Sequence, residues 1–166
     1  MYMNPSKYSP KETPVSVLLD TIAYVMECIF EKETKDGGIC LVANMADWKM
    51  SNFSIQYWHK LMKMLQGKLV PIRIESFLIL DPPSWFGSIW SMTKPMLTEA
   101  FRRNVKIVCV NDLKTHLQKG FEDYLPDDVY VGKAETDRIV QNFIEYRKRV
   151  ESARILHSTT TNWKRT

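Results

Sequence analysis

Glycine is scarce, six in 166 residues, and none of the six stands in a phosphate-cradling arrangement. GxxxxGKS/T, GxGxxG and GxSxG are all missing. Gly37-Gly38 precedes a strand pattern, whereas a phosphate loop follows a strand and opens a helix. Nucleotide-binding and nucleophile-elbow readings therefore lose their sequence basis. His59, His116 and His157 lack an i,i+4 partner and a nearby cysteine, so no metal and no cofactor is expected. Cys28, Cys40 and Cys109 are odd in number and far apart, which excludes a disulfide framework and predicts reduced thiols in a cytoplasmic setting. No apolar run approaches the ~20 residues that span a bilayer. Residues 1–14, MYMNPSKYSPKETP, are polar and proline-bearing, unlike a signal peptide, and read as a disordered lead-in. Without a signal peptide, the sequon Asn52-Phe53-Ser54 has no expected role.

Charge is near balance except at one end. Residues 133–166 hold eight Lys/Arg against four Asp/Glu, which accounts for the whole net charge of +4. This segment is expected to form a basic helix, about 135 to 153, and a frayed tail with a modest preference for anionic surfaces. A nucleic-acid footprint would be larger and interleaved with exposed aromatics, so no nucleic-acid partner is expected.

What is present is a 45% hydrophobic content arranged in alternating patterns. Val15, Leu18, Leu19, Ile22, Val25, Met26, Ile29 and Phe30 draw one helical stripe, and Lys35 to Gly38 break it. Ile39–Ala43 is apolar on both alternating faces, as a strand covered on both sides would be. Ser51 or Ser54 can cap a second helix with Ile55, Trp58, Leu61, Met62 and Leu65 on one face, ended by Gly67. Two more buried-type strands, 74–80 and 105–110, flank a helical segment from Ser84 to Arg103. The alternation predicts an α/β fold with a mainly parallel sheet and covering helices. Asp47, Asp81 and Asp112 each follow a predicted strand, where α/β enzymes place catalytic groups, but no nucleophile or base accompanies them. Turn and cap roles suffice for them, and no enzymatic activity is expected.

Residues 81–104 read DPPSWFGSIWSMTKPMLTEAFRRN. Trp85, Phe86, Ile89, Trp90 and Met92 form a large apolar face on a helix that Pro95 should interrupt, and Thr98-Glu99 can cap a short second helix. At roughly 1.5–3 kcal/mol each, these side chains must pack on the sheet, on a ligand or on a membrane. The stretch resembles the gate region of the CRAL-TRIO lipid-binding family. That family runs from a strand through Asn-x-Pro-x-x-Phe and an apolar helix into Lys-Pro-Phe-Leu, a basic residue and a further strand. Ile79 to Phe86, Trp90 to Leu97 and Arg102 to Ile107 follow this order. Gly38-Ile39, Leu65-Gln66, Pro71-Ile72-Arg73 and Leu125-Pro126 match further pieces, over about residues 15–132. The family's paired glycines are replaced by Asp127 to Gly132, and no counterpart of its preceding helical lobe or first strand is expected, as in a fragment, a lobe of a larger protein or a shortened member.

The resemblance implies a lipid-binding lobe over 15–132 with a mobile amphipathic gate helix. Its ligand would be a lipid or other hydrophobic small molecule, carried without catalysis by a protein that meets membrane surfaces transiently. Trp85, Phe86, Ile89, Trp90 and Met92 would line gate and pocket. One of each pair Leu41 or Val42, Phe77 or Leu78, and Ile79 or Leu80 would supply the floor. Lys94, Arg73, Arg102 and Arg103 would meet headgroups or the membrane; Arg73 matches a position some members use with phosphoinositides, although Glu75 replaces the next one. A module for protein interaction or membrane docking without a lipid is the alternative.

Overall fold

Ile22 and Met26, one helical turn apart, are buried, with Leu18 and Ile29 partly buried on the same stripe of helix α1 (Val15–Glu33). A helix with that spacing needs a sheet or another helix to cover its stripe, and both are present. The computed structural model describes residues 1–33, 38–67, 73–127, 129, 132 and 134–162, with side chains except at 30–33, 122, 123 and 155–162. The break expected at Lys35 to Gly37, the Pro71-Ile72 link, and Asp128, Tyr130 and Val131 of the altered turn lie outside the described residues. Two compact units divide the chain, Met1–Leu113 and Lys114–Thr166.

The first unit is built on four parallel strands: β1 (Tyr2–Met3), β2 (Ile39–Asn44), β3 (Ile74–Leu80) and β4 (Val105–Val108), in that spatial order. β1 corrects the reading of residues 1–14 as a disordered lead-in without a first strand. Tyr2 and Met3 pair with Val42 and Ala43, and Val42 N–H donates to the Met1 carbonyl at 2.9 Å. The polar composition misled because only two or three residues of that stretch, placed on an open strand edge, are needed to satisfy its backbone.

Consecutive strands are neighbours, and their connections pass through α1, α2 (Ile55–Gln66), and the pair α3 (Phe86–Thr93) and α4 (Glu99–Asn104). Residues of all four helices join one buried cluster with Leu41, Ala43, Phe77 and Ile79. Because side chains alternate along a strand, Val42, Leu78 and Leu80 belong to the opposite face, where they are buried as well. The register sets Leu41 beside Phe77 and Val42 beside Leu78. Of the two candidate caps for α2, Ser54 serves: its Oγ accepts from Tyr57 N–H at 3.2 Å. Trp58, Leu61, Met62 and Leu65 are buried as their spacing predicts, whereas Ile55 lies 57% exposed. After α3, residues Lys94–Met96 tighten into a 3-10 turn around Pro95, and Thr98 Oγ1 caps α4.

In the second unit, Asp127 N–H donates to the Ala134 carbonyl and Ala134 N–H to the Leu125 carbonyl, both at 2.9 Å, closing the segment that replaces the paired glycines. Gly132 is required there, since a Cβ would collide with the Pro126 carbonyl. Helix α5 (Thr136–Asn162) follows, longer than the polar pattern suggested, with Ile139, Val140 and Ile144 exposed.

Candidate functional site

A cavity of about 200 Å³ opens inside the first unit, between the sheet face that carries Ala43 and Phe77 and the elements that cover it. Leu18 and Ile22 of α1 form one side; Tyr57, Trp58 and Leu61 of α2 form another. Met45 and Trp48, just past β2, and Met3, Asn4, Pro5 and Tyr8 complete the wall. It is smaller than the ~300–1,000 Å³ of most ligand pockets, yet larger than an engineered void of about 150 Å³ that takes up benzene. The wall is overwhelmingly apolar, with no Lys, Arg, His, Asp or Glu in it.

The N-terminal segment is pinned in place by named contacts. Asn4 Oδ1 accepts from Ser6 N–H at 3.1 Å and so caps the turn Pro5–Lys7. Asn52 Nδ2 donates to the carbonyls of Ser6 at 3.2 Å and Tyr8 at 2.8 Å. The Tyr8 ring then rests against Tyr57, centroids 5.2 Å apart. Burial, with Tyr8 beside it, raises the Tyr57 hydroxyl far above its ordinary pKa, so it stays protonated.

Of the expected gate residues, Trp85 stands at the start of α3, and Phe86, Ile89, Trp90 and Met92 lie along it. Phe86 is 1% exposed, and Trp85, Ile89 and Trp90 pack on the core with part of their surface in solvent. Trp48 joins the two regions: it belongs to the cavity wall and lies 4.8 Å from Trp85, 6.1 Å from Phe86 and 6.2 Å from Trp58. Phe86 also meets Trp58 edge-on at 5.7 Å and stacks on Trp90 at 6.2 Å. The apolar face of α3 is thus occupied by indole and phenyl rings, and none of Trp85, Phe86, Ile89, Trp90 and Met92 borders the 200 Å³ cavity. Met92 is 68% exposed and lines, with Ile55, Met62 and Met96, an open groove between α2 and α3. Of the floor candidates, Phe77 borders the cavity; Leu41 and Ile79 share its face, and Val42, Leu78 and Leu80 do not.

The cationic candidates are dispersed. Lys94 Nζ sits 5.9 Å from the centroid of the Trp90 ring, a cation–π distance. Arg73 precedes β3, while Arg102 and Arg103 lie in the last turn of α4; Asn104 Nδ2 donates to the Ile74 carbonyl at 2.8 Å, which sets both places at the strand starts. The cavity residues Ala43, Met45 and Trp48 lie at and beyond the end of β2. Arg102 donates to the Leu97 carbonyl at 3.2 Å and Arg103 pairs with Glu99. Asp81 serves its turn: with φ of 42° it accepts from Val110 N–H at 3.2 Å. Among the described residues no group of three His, Cys, Asp or Glu could hold a metal, and no helix is long and apolar enough to cross a membrane.

Sequence reasoning missed Met3, Tyr8, Met45 and Tyr57 as wall residues. Tyr2, Met3 and Tyr8 among prolines and polar residues were the available signal, since aromatic and sulfur side chains in such a stretch need cover.

Comparison with known proteins agrees with this architecture. Tyrosine-protein phosphatase non-receptor type 9 from Mus musculus and from Homo sapiens are each 23% identical over 137 residues, 82% of this chain and 22% of theirs. The chain therefore spans about a fifth of the length of these relatives. The CRAL/TRIO domain family matches residues 1–129, which takes in β1 and the cavity wall. With that match over most of its length, the chain belongs to the CRAL/TRIO domain family, a family of lipid-binding and generally non-catalytic domains.

Proposed function

We propose that this domain binds a lipid or other hydrophobic small molecule, without catalysis, in the cavity between the N-terminal segment, α1, α2 and the sheet, and passes it between membranes. The observation that supports this most is the partly open, largely apolar pocket of about 200 Å³ against the covered face of the sheet. At that size it has room for a ring or a short chain end. A chain of about 14 methylenes exposed to water costs more than about 10 kcal/mol at roughly 0.8 each, so a longer tail has to be sealed by enlarging the cavity. Trp48 and Trp58 are the wall toward α3, and movement of α3 about the Lys94–Met96 turn is the step that would make room. Met92 and Met96, half or more exposed beside Lys94, would meet the membrane interface when it does. Arg73, Arg102 and Arg103 would be a separate headgroup contact at the strand starts. A cytoplasmic location with transient membrane association goes with this reading. The phosphatase activity in the relatives' name is not carried over, as only 22% of their length is matched.

Native mass spectrometry of the purified chain tests the proposal. A bound mass that survives desalting and extracts as a lipid is expected. A bare chain mass, before and after incubation with phosphatidylcholine and phosphatidylinositol vesicles, would overturn it. The packing of Trp85 on Trp48 favours a second reading, a docking module with no guest. Vesicle co-sedimentation by a chain that never shows bound lipid would select it.

A further inference from the structure

Two surfaces on the helical layer of the first unit complement each other. The open groove that Ile55, Met92 and Met96 border continues past Met96 to Lys63, Gln66 and Thr98, with His59 and Met62 along both parts. Two hydrogen bonds fix its banks: Trp58 Nε1 donates to Thr93 Oγ1 at 2.7 Å, and Thr98 N–H donates to Gln66 Oε1 at 2.6 Å. Ile55, Met92 and Met96 are half or more exposed, and they cluster on this one groove instead of being scattered. α2 presents Lys60 and Lys63 to solvent and carries no carboxylate, and none of the described residues lining the groove is Asp or Glu. The outer side of α1 has the opposite character. Val17, Asp20, Tyr24 and Glu27 recur at intervals of three and four, so they form one stripe, and all four are exposed. No Lys or Arg occurs between Val15 and Ile29. Among the described residues, Asp20, Glu27, Lys60 and Lys63 enter no ion pair within the chain, whereas Glu99 pairs with Arg103.

We propose that a second copy of this chain occupies the groove, its α1 stripe seated between α2 and α3, while the first copy returns the same contact. Both surfaces belong to the layer that covers one sheet face, and α1 touches α2, so a single two-fold contact can use both at once. The lengths agree. At about 1.5 Å per residue, the groove side from Ile55 to Gly67 is about 18 Å long and the stripe from Val17 to Glu27 about 15 Å. All four strands are parallel, so the connecting helices α1 and α2 run the same way. A two-fold axis along these helices keeps that direction. It sets Val17 at the Ile55–Met92 end of the groove and Glu27 at the Lys63 end. The methionines, Ile55, Val17 and Tyr24 supply the affinity; exposed ion pairs add little to it and instead choose the register and the partner. Membrane contact through Met92 and Met96 then requires the pair to separate.

The test is sedimentation velocity of the full chain without membranes, for the parent, Lys63→Glu, Glu27→Lys and the double variant. Across about 5 to 500 μM the parent should pass from one copy to two, with a dissociation constant on the order of tens of micromolar. Each single substitution brings like charges together at both ends of the two-fold contact and should raise that constant roughly tenfold. The double variant restores opposite charges and should return to within about threefold of the parent. Lys63 and Glu27 are exposed, so both substitutions leave the fold intact, and circular dichroism checks this. A parent chain that stays at one copy throughout overturns the proposal; if that chain binds anionic vesicles through Met92, the face belongs to the membrane alone. Single variants that pair as the parent does, or a double variant that fails to recover, overturn it as well. Bound lipid plays no part in these readings, so the carrier reading stands or falls separately by mass spectrometry.

Discussion

Trp58 and Thr93 tie helix α2 to helix α3 through one buried hydrogen bond, Nε1 to Oγ1 at 2.7 Å, and the Thr93 hydroxyl in turn donates to the Ile89 carbonyl at the same distance. Thr93 is 3% exposed although its neighbours Met92 and Lys94 face solvent. Any movement of α3 away from the indole wall has to break this bond first.

Thr93→Val keeps the shape and removes the acceptor, leaving Trp58 Nε1 buried and unpaired. The expected loss is about 1–3 kcal/mol of unfolding free energy in urea titrations, with helical circular dichroism unchanged at 25 °C. If α3 is the element that opens, the same variant should also transfer lipid between vesicles faster. An unaltered denaturation midpoint would show that the bond contributes nothing.

Asp81 occupies a left-handed backbone position and caps Val110 N–H with its carboxylate. Asparagine, which tolerates that conformation and keeps the Oδ1 acceptor, should be neutral to slightly stabilising. Asp81→Ala should lose about 1–2 kcal/mol, from backbone strain and the missing hydrogen bond together. Equal melting temperatures for the two variants would contradict this account.

Leu18 borders the cavity from α1 and is itself only partly buried. Leu18→Phe should fill part of the void, change stability by less than about 1.5 kcal/mol, and abolish the rise in Tm that a bound hydrophobe produces. A Tm rise on adding the guest as large as in the parent chain would place the ligand elsewhere.

Met92 and Trp85 separate membrane contact from core packing. Met92→Asp alters an exposed position, so stability should stay within about 0.5 kcal/mol while co-sedimentation with anionic vesicles falls several-fold. Trp85→Asp removes a ring that packs 4.8 Å from Trp48 and should cost about 3 kcal/mol or more, as large-to-small aromatic changes do. Undiminished vesicle binding by Met92→Asp would rule out this face as the membrane contact.

Periodicity alone located the main elements. The intervals of three and four from Val15 onward, the apolar run from Ile39, the Gly67 stop and Pro95 each set a helix or strand boundary through short-range chemistry, and β3 appears at Ile74–Leu80 as its pattern predicts. The order of the pieces around Asp81 and Lys94-Pro95 was enough to identify the family. Which face each strand gives to the helices was not legible, because Phe77, Leu78, Ile79 and Leu80 are all apolar and a period of two leaves no mark in a uniform run. The position of the cavity was decided later still. A large apolar helix face must be covered by something, but whether sheet, guest or neighbouring rings cover it depends on residues distant in the chain; here Trp48 and Trp58 take the space beside Phe86. The same long-range pairing draws Tyr2 and Met3 onto β2 and brings Tyr8 to Tyr57, turning a polar leader into part of the wall of a pocket that α1, α2 and the sheet also bound.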